Sequence, residues 1–239
     1  IVFHHGVAAH PAIWTSWLGA LTAKYRLVRF DMRGHGRSIV PPAGFLWTFE
    51  GLVDDLLCVA EAAGAKRFHL VGESIGGTVG IACALSNNKR LRSLTLSNTS
   101  PRGRLIGNVN IWREMIKTAS QQKWAKQMME WRFHHNAIDQ NTYDWYLALH
   151  EKCSIDACLE LADLLLEADF TNDLSRIETP TLLLSPDDSP FIPTKVMHDM
   201  HDLIPVSEMQ VFAHSRHGLP LSHGEACARV LADFLARRT

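Results

Sequence analysis

A Gly-x-Ser-x-Gly run, set between a short apolar stretch and a helix of small residues, constrains this chain more than any other feature. Residues 68–71 read as a buried strand, and residues 75–85 read as a helix rich in Gly, Ala and Thr. Between them lies Gly72-Glu73-Ser74-Ile75-Gly76. A strand that reverses into a helix over so few residues brings two backbones into contact, and the glycines on either side leave room for the crossing. The residue at the apex is forced into a strained conformation costing about 1–3 kcal/mol. That strain lifts its side chain clear of the sheet, in front of the unpaired N–H groups and partial positive charge of a helix start. Ser74 is therefore the candidate nucleophile. A packing helix with an incidental serine would not account for both flanking elements.

A chain of 239 residues, 46% hydrophobic and 21% charged, can bury one ordinary core with an insertion. A net charge of −1 supplies no basic field for nucleic acid and no polybasic membrane anchor. No apolar run reaches the roughly 18 residues needed to span a membrane. The five cysteines are odd in number and scattered, and Cys58 and Cys83 fall within apolar helical patterns. This usage argues for a reducing, cytoplasmic setting over a disulfide framework. The chain opens on a strand, Ile1-Val2-Phe3, without Met, so upstream residues are expected.

Strands then alternate with helices, which predicts an α/β fold with a mostly parallel central sheet and helices on both faces. Strands are expected at 1–4, 27–30, 68–71, 91–96, 181–184 and 208–212. Helices are expected at 11–21, 49–63, 75–85, 194–203 and 224–237. Gly64 suits the cap of the second helix. From about Ser100 to Asp173 no strand-like run occurs, and long amphipathic helices take over. The expected organisation is thus a core of residues 1–99 and 174–239 with a helical cap over 100–173, placed above the C-terminal edge of the sheet, where ligands of such sheets bind.

A nucleophilic serine needs a base and an orienting acid, in the order serine, acid, histidine. With thirteen histidines in the chain, position must decide. The loop after the last strand holds His214, His217 and His223, of which His217 is best placed, mid-loop and followed by Gly218. His214 lies nearer the strand end, and His223 suits a helix cap. The acid should follow strand 181–184, where Asp187 and Asp188 occur in a Ser-Pro-Asp-Asp-Ser-Pro turn that is also rich in ordinary turn formers. After the first strand, His4-His5-Gly6-Val7 can offer the N–H of Val7 to a developing oxyanion, with that of Ile75 as the second donor. The doubled histidine carries no His-Glu-x-x-His or Cys-x-x-Cys beside it, and His198 and His201 read as a polar helix face, so no metal site and no cofactor are expected. Arg33-Gly34-His35-Gly36-Arg37-Ser38 lacks a phosphate-binding ending and reads as a structural turn.

These segments resemble the α/β-hydrolase fold superfamily. The likeness runs through Phe3-His4-His5-Gly6, Asp31-Met32-Arg33-Gly34-His35-Gly36-Arg37-Ser38, Val71-Gly72-Glu73-Ser74-Ile75-Gly76-Gly77 and the acid and histidine loops. It covers nearly the whole chain, lacking only the family's first two antiparallel strands. Leu96-Ser97-Asn98-Thr99-Ser100 and the Trp-rich cap are similar to the 3-oxoadipate enol-lactonase group. One departure stands out: counted from Pro180 or Pro193, the family's acid position falls on Ser189, and Pro186 replaces the usual glycine. A one-residue shift of the loop would let Asp188 serve, with Asp187 as the alternative; otherwise the triad is weakened.

Four of the seven tryptophans, Trp112, Trp124, Trp131 and Trp145, lie in the cap. They are expected mainly in its own core, with Trp131 facing an acyl or lactone group as the functional alternative. Arg102, Arg104 and Arg132 can hold a substrate carboxylate by bidentate pairing. The resemblance implies a cofactor-free serine hydrolase of a small ester or lactone, with Ser74, Asp188 and His217 as its triad, Val7 and Ile75 as its oxyanion donors and Trp131, Arg132 and Arg102 toward a small-molecule substrate. A carbon–carbon bond hydrolase or lyase on the same residues, or a non-catalytic small-ligand receptor, are the rival readings.

Overall fold

The computed structural model describes residues 1–42, 44–86 and 89–238. Among these, six strands form one sheet in the order β2-β1-β3-β4-β5-β6, and every pairing is parallel. They are β1 (Val2–His4), β2 (Val28–Arg29), β3 (Phe68–Glu73), β4 (Leu91–Ser97), β5 (Thr181–Pro186) and β6 (Ser207–Phe212). β3 and β5 are buried along their whole length, which is why they read as continuous apolar runs without alternation.

The helices are α1 (Leu18–Leu21), α2 (Phe49–Ala62), α3 (Ile75–Leu85), α4 (Trp112–Thr118), α5 (Gln121–Arg132), α6 (Gln140–Lys152), α7 (Ile155–Glu167), α8 (Thr194–Leu203), α9 (Leu219–Ser222) and α10 (Gly224–Ala236). α2 begins where the Thr48 hydroxyl accepts the N–H of Gly51 at 3.0 Å and ends at Gly64, whose φ of 70° favours glycine. The single helix expected over 11–21 is instead a 3₁₀ segment, Pro11–Trp17, followed by the short α1. A three-residue turn eclipses side chains i and i+3, and it sets Trp14 against Trp17 edge-on with ring centroids 5.1 Å apart.

Odd and even residues of the strands feed two cores, one on each face of the sheet. Leu70, Leu94, Leu96 and Leu183 pack with Leu52, Leu56 and Val79 of α2 and α3. Val71, Leu182 and Leu184 pack on the other face with Trp14, Trp17, Leu231 and Phe234. Each such side chain contributes about 1.5–3 kcal/mol by leaving water. The residues between β4 and β5 add no strand to the sheet. They form α4–α7 with short 3₁₀ turns, and their two ends meet in an antiparallel bridge between Arg102 and Asp169. Trp112, Trp124 and Leu161 of this stretch continue the first core.

The β3–α3 junction is the tightest point of the fold. Ser74 sits there at φ 56°, ψ −125°, and the backbone of Gly76 and Gly77 passes so close that a Cβ on Gly72 would lie 2.6 Å from Gly77 N. We expect Gly72→Ala to lower unfolding stability by about 1–3 kcal/mol in urea titration, as overpacking of a rigid site does. Gly19 in α1 faces nothing within 4 Å, so Gly19→Ala should stabilise by about 0.5–1 kcal/mol. Equal effects at the two positions would show that the junction is looser than described.

Candidate active site

The strained junction presents Ser74 to an internal cavity. The Ser74 N–H donates to Ser97 O at 3.1 Å, and its carbonyl accepts Gly77 N–H at 2.9 Å, which leaves the side chain as its free end. Among the described residues the hydroxyl makes no hydrogen bond. Val7, Arg132, Phe191 and His217 line the cavity with Ser74, and Ile106, Val109, Trp112, Ala162 and Leu165 complete it. About 10 Å³ of it is open to the centre of a water molecule, room for roughly one water.

The loop after β1 forms the wall opposite α3. His5 Nδ1–H donates to Gly6 O at 2.8 Å, and its Nε2 accepts the Met32 N–H at 3.0 Å. His35 Nε2 accepts the Ala8 N–H at 2.9 Å. The glycine-rich turn around His35 thus buttresses this loop, as expected of a structural turn. Burial lowers His4 and His35 to about 4 and pushes His5 well below the ordinary range. All three rings are therefore neutral near pH 7 and hold loops through their tautomers. Among the described residues the N–H groups of Val7 and Ile75 carry no hydrogen bond, while those of Gly6 and Ala8 on either side of Val7 are both occupied.

His217 also faces the cavity, from the loop after β6. Its ring is 4.7 Å from Phe191, and its Nδ1–H donates to Asn98 Oδ1 at 2.5 Å. Asn98 lies just beyond β4 with φ 41°, a left-handed conformation that asparagine tolerates. Its Nδ2 donates to Ile192 O at 3.1 Å, which turns its oxygen toward His217. The Ser189 hydroxyl donates to the same oxygen at 2.8 Å. Burial, and then the charge of Arg132, hold the His217 ring well below its ordinary pKa. His214 and His223 are not among the lining residues: His214 takes a φ of 53°, and His223 bonds Ser222 Oγ at 2.9 Å.

The expectation that Asp188 fixes the imidazole needs correcting. Its carboxylate lies 3.2 Å from Arg216 Nε and 3.3 Å from His134 Nε2, on the surface. The one-residue slip that would turn it inward does not occur. Ser189 occupies the inward position, where its hydroxyl accepts the N–H groups of Phe191 and Ile192 at 3.3 and 3.2 Å, and the Asp188 N–H donates to Ser215 O. Asp187 does not reach the ring either. It accepts the N–H groups of His214 and Ser215 at 2.9 and 3.0 Å and so shapes the histidine loop. Desolvation works to raise its pKa, but those two donors bring it below the usual carboxylate range.

Two further residues complete the polar end of the cavity. Arg132, at the end of α5, is 2% exposed. Its Nη2 donates to Val7 O at 2.9 Å, its Nη1 lies 3.5 Å from Glu73 Oε1, and its guanidinium sits 5.7 Å from the Tyr146 ring centre. Glu73 Oε2 accepts the Gly6 N–H at 2.7 Å, and Oε1 lies 3.3 Å from His217 Nε2. Burial raises the Glu73 pKa against the opposing charge of Arg132. Of the other expected substrate contacts, Trp131 packs on Phe191 with centroids 5.4 Å apart, and Arg102 pairs with Asp169 at 3.0 Å. Neither lines the cavity, because each is held by a neighbour of its own. Asn98 and Glu73 were missed as site residues. The available signals were a polar residue ending the strand beside β3 and a carboxylate inside the serine motif.

A family model described as the alpha/beta hydrolase fold matches residues 1–109. Among curated relatives, the "Putative carbamate hydrolase RutD" of Stutzerimonas stutzeri is 25% identical over 253 residues, covering 100% of this chain and 92% of the relative. The enol-lactonase from Burkholderia xenovorans LB400 superposes with a TM-score of 0.89 at 21% identity, over 98% of this chain and 90% of that one. A thermophilic esterase from Thermogutta terrifontis gives 0.87 at 23% identity, over 100% and 90%.

Removing the Asn98 side chain would leave both the His217 Nδ1–H and the Ser189 hydroxyl without their acceptor in a dry site. Asn98→Ala should therefore cost about 1–3 kcal/mol of unfolding stability, whereas the exposed Asp188→Asn should stay within about 1 kcal/mol. Urea titrations of both variants compare them directly. A larger loss at Asp188 would return the supporting role to that carboxylate.

Proposed function

Because residues 1–109 match the alpha/beta hydrolase fold model and the whole chain shares that fold with solved structures, we propose that Ser74 is the nucleophile in hydrolysis of a small ester or lactone. The carrying observation is a strained serine, its hydroxyl without a hydrogen bond among the described residues, in one cavity with a neutral buried histidine. In the first half-reaction His217 Nε2 takes the Ser74 hydroxyl proton as Oγ bonds to the substrate carbonyl carbon. The carbonyl π pair moves onto oxygen, toward the free N–H groups of Val7 and Ile75. The ester C–O bond then breaks, and the proton on Nε2 passes to the departing oxygen. Water, deprotonated by the same nitrogen, attacks the acyl-serine, and collapse of that second adduct returns the proton to Oγ. Asn98 keeps the Nδ1–H tautomer throughout, leaving the Nε2 lone pair for the serine.

The cavity favours a compact, largely apolar acyl group or lactone ring, since Ile106, Val109, Trp112, Ala162, Leu165 and Phe191 form most of its wall. Arg132 stands at its polar end. Nη1 and Nη2 face Glu73 and Val7, and Nε is buried without a partner. That Nε–H is the donor left for a substrate carboxylate or carbonyl. With space for about one water, the cavity must open to admit substrate. Residues 100–173 act as the lid, because they supply the Ile106–Leu165 side of the wall while adding nothing to the sheet.

Ser74→Ala should fold normally and lose about 10⁴–10⁶ in rate toward whichever ester or lactone the unmodified protein hydrolyses best. A fluorophosphonate should label the unmodified protein at Ser74 and leave the variant untouched. Hydrolysis by the folded variant at the unmodified rate would remove Ser74 from the mechanism. Inertness of the unmodified protein to the probe and to a panel of lactones, esters and amides would favour a small-ligand receptor.

A further inference from the structure

A histidine that receives a proton during attack needs a negative charge nearby, and the usual source is a carboxylate on its Nδ1 side. Here that side is uncharged. Asn98 Oδ1 accepts both the His217 Nδ1–H and the Ser189 hydroxyl, and the two carboxylates that precede Ser189, Asp187 and Asp188, are engaged with the backbone of 214–215 and with Arg216 and His134. Asn98 can fix the tautomer but cannot balance an imidazolium.

The opposite side of the ring does carry a carboxylate. Glu73 is 1% exposed, adjacent in sequence to Ser74, and held at three points: by the Gly6 N–H, by Arg132 and against His217 Nε2. The groups facing it from every packed element are the β1 loop N–H, the Arg132 guanidinium of α5, the Tyr146 ring of α6 and His217 itself. Arg132 alone would oppose protonation of His217, and with an imidazolium it would place two like charges in a dry cavity. Glu73 lies within 3.5 Å of both.

We propose that Glu73 is the positioning residue that supplies His217 with the negative charge its Asn98–Ser189 relay lacks, acting from the Nε2 side. This inference rests on the serine-hydrolase reading for its kinetic consequence but not for its electrostatics. When the proton arrives on Nε2, Glu73 offsets the new positive charge, and Arg132 holds the Glu73 carboxylate in place. The carboxylate raises the affinity of the ring for a proton, while burial and Arg132 lower it.

The test combines Glu73→Gln, Asn98→Asp and the double variant. Glutamine keeps an acceptor for the Gly6 N–H and removes the charge, with an amide NH2 in place of the oxygen that faces Arg132 and His217. Its plateau kcat/KM should fall about 10–100-fold, and the acid limb of the pH profile should move to lower pH by about one unit or more, as expected when an opposite charge within about 4–6 Å is lost. Adding Asn98→Asp puts a carboxylate on Nδ1 and should recover at least tenfold of the lost rate. If Glu73 only tethers the loop and Arg132, the limb will stay in place and the double variant will gain nothing, and the proposal fails. The midpoint of the His217 ring, read by ¹H–¹⁵N NMR in the Ser74→Ala background with and without Glu73→Gln, needs no turnover. A lower midpoint in the Gln variant supports the charge even if no ester is hydrolysed, and an equal midpoint overturns it. Should Glu73→Gln fail to fold, Asn98→Asp alone decides: a gain under about tenfold means the ring already has its charge, and any larger gain means that it does not and overturns the proposal.

Discussion

The near-contact of β3 with the first turn of α3 is the constraint from which the rest of the site follows. Gly72 and Gly76 allow the two backbones to cross, and Ser74 takes up the cost at φ 56°, ψ −125°. The same crossing fixes what surrounds the serine. A Cβ on Gly76 would meet His5 O at 2.8 Å, and a Cβ on Gly6 would meet Ser74 Cβ at 2.8 Å. The loop after β1 is therefore pressed against the elbow from two sides. The side chain of Glu73 reaches the same loop at the Gly6 N–H. Ser74, the free N–H groups of Val7 and Ile75 and the Glu73 side chain are thus placed by one piece of backbone geometry, and strain of this kind persists only where the surroundings over-determine it.

Burial decides how the remaining polar groups behave. The chain has many histidines, but those packed around the elbow, His4, His5 and His35, are neutral and spend both ring nitrogens or a backbone contact on holding loops. His217 differs in only one respect. Its Nδ1 is committed to Asn98, and its Nε2 looks into the cavity beside Glu73 and Ser74. What separates His217, the proposed base, from these structural histidines is an uncommitted lone pair next to the Ser74 hydroxyl, since every one of these rings is buried.

The features legible in sequence were those set by local periodicity. α3 and α8 run over the expected residues, and the strands of the sheet agree to within a few positions, because apolar runs and glycine stops act over neighbouring residues. The 3₁₀ turn at Pro11–Trp17 escaped because the choice between three and 3.6 residues per turn was made by the stacking of Trp14 on Trp17, a packing effect. Ser74, His217 and Val7 were legible as cavity residues because a motif or a loop position marks each, whereas Arg132 stood out only by its charge, as one of three cap arginines. The support of His217 was not, because it depends on distance in space. Asn98 lies 119 residues before His217, and only the pairing of β4 with β3 and β5 brings it under the ring. Asp188 had the right charge and nearly the right position. In the fold it is Ser189 that turns inward and accepts the N–H groups of Phe191 and Ile192, a contact that residue type and spacing do not disclose.

Charge counting links these parts. Arg132 and Glu73 face each other at 3.5 Å and burial holds His217 neutral, so an ionised pair beside the neutral ring sums to zero charge in a space with room for about one water. In the proposed mechanism attack by Ser74 creates an imidazolium and an oxyanion together, so the sum stays zero while two new charges appear. Each has a counterpart within the first contacts: the oxyanion has the N–H groups of Val7 and Ile75, and the imidazolium has Glu73. A carboxylate at the inward position of the acid loop would make the resting sum negative beside a buried Glu73, and two such groups would compete for one proton. A neutral serine at 189 and an asparagine at 98 avoid that excess.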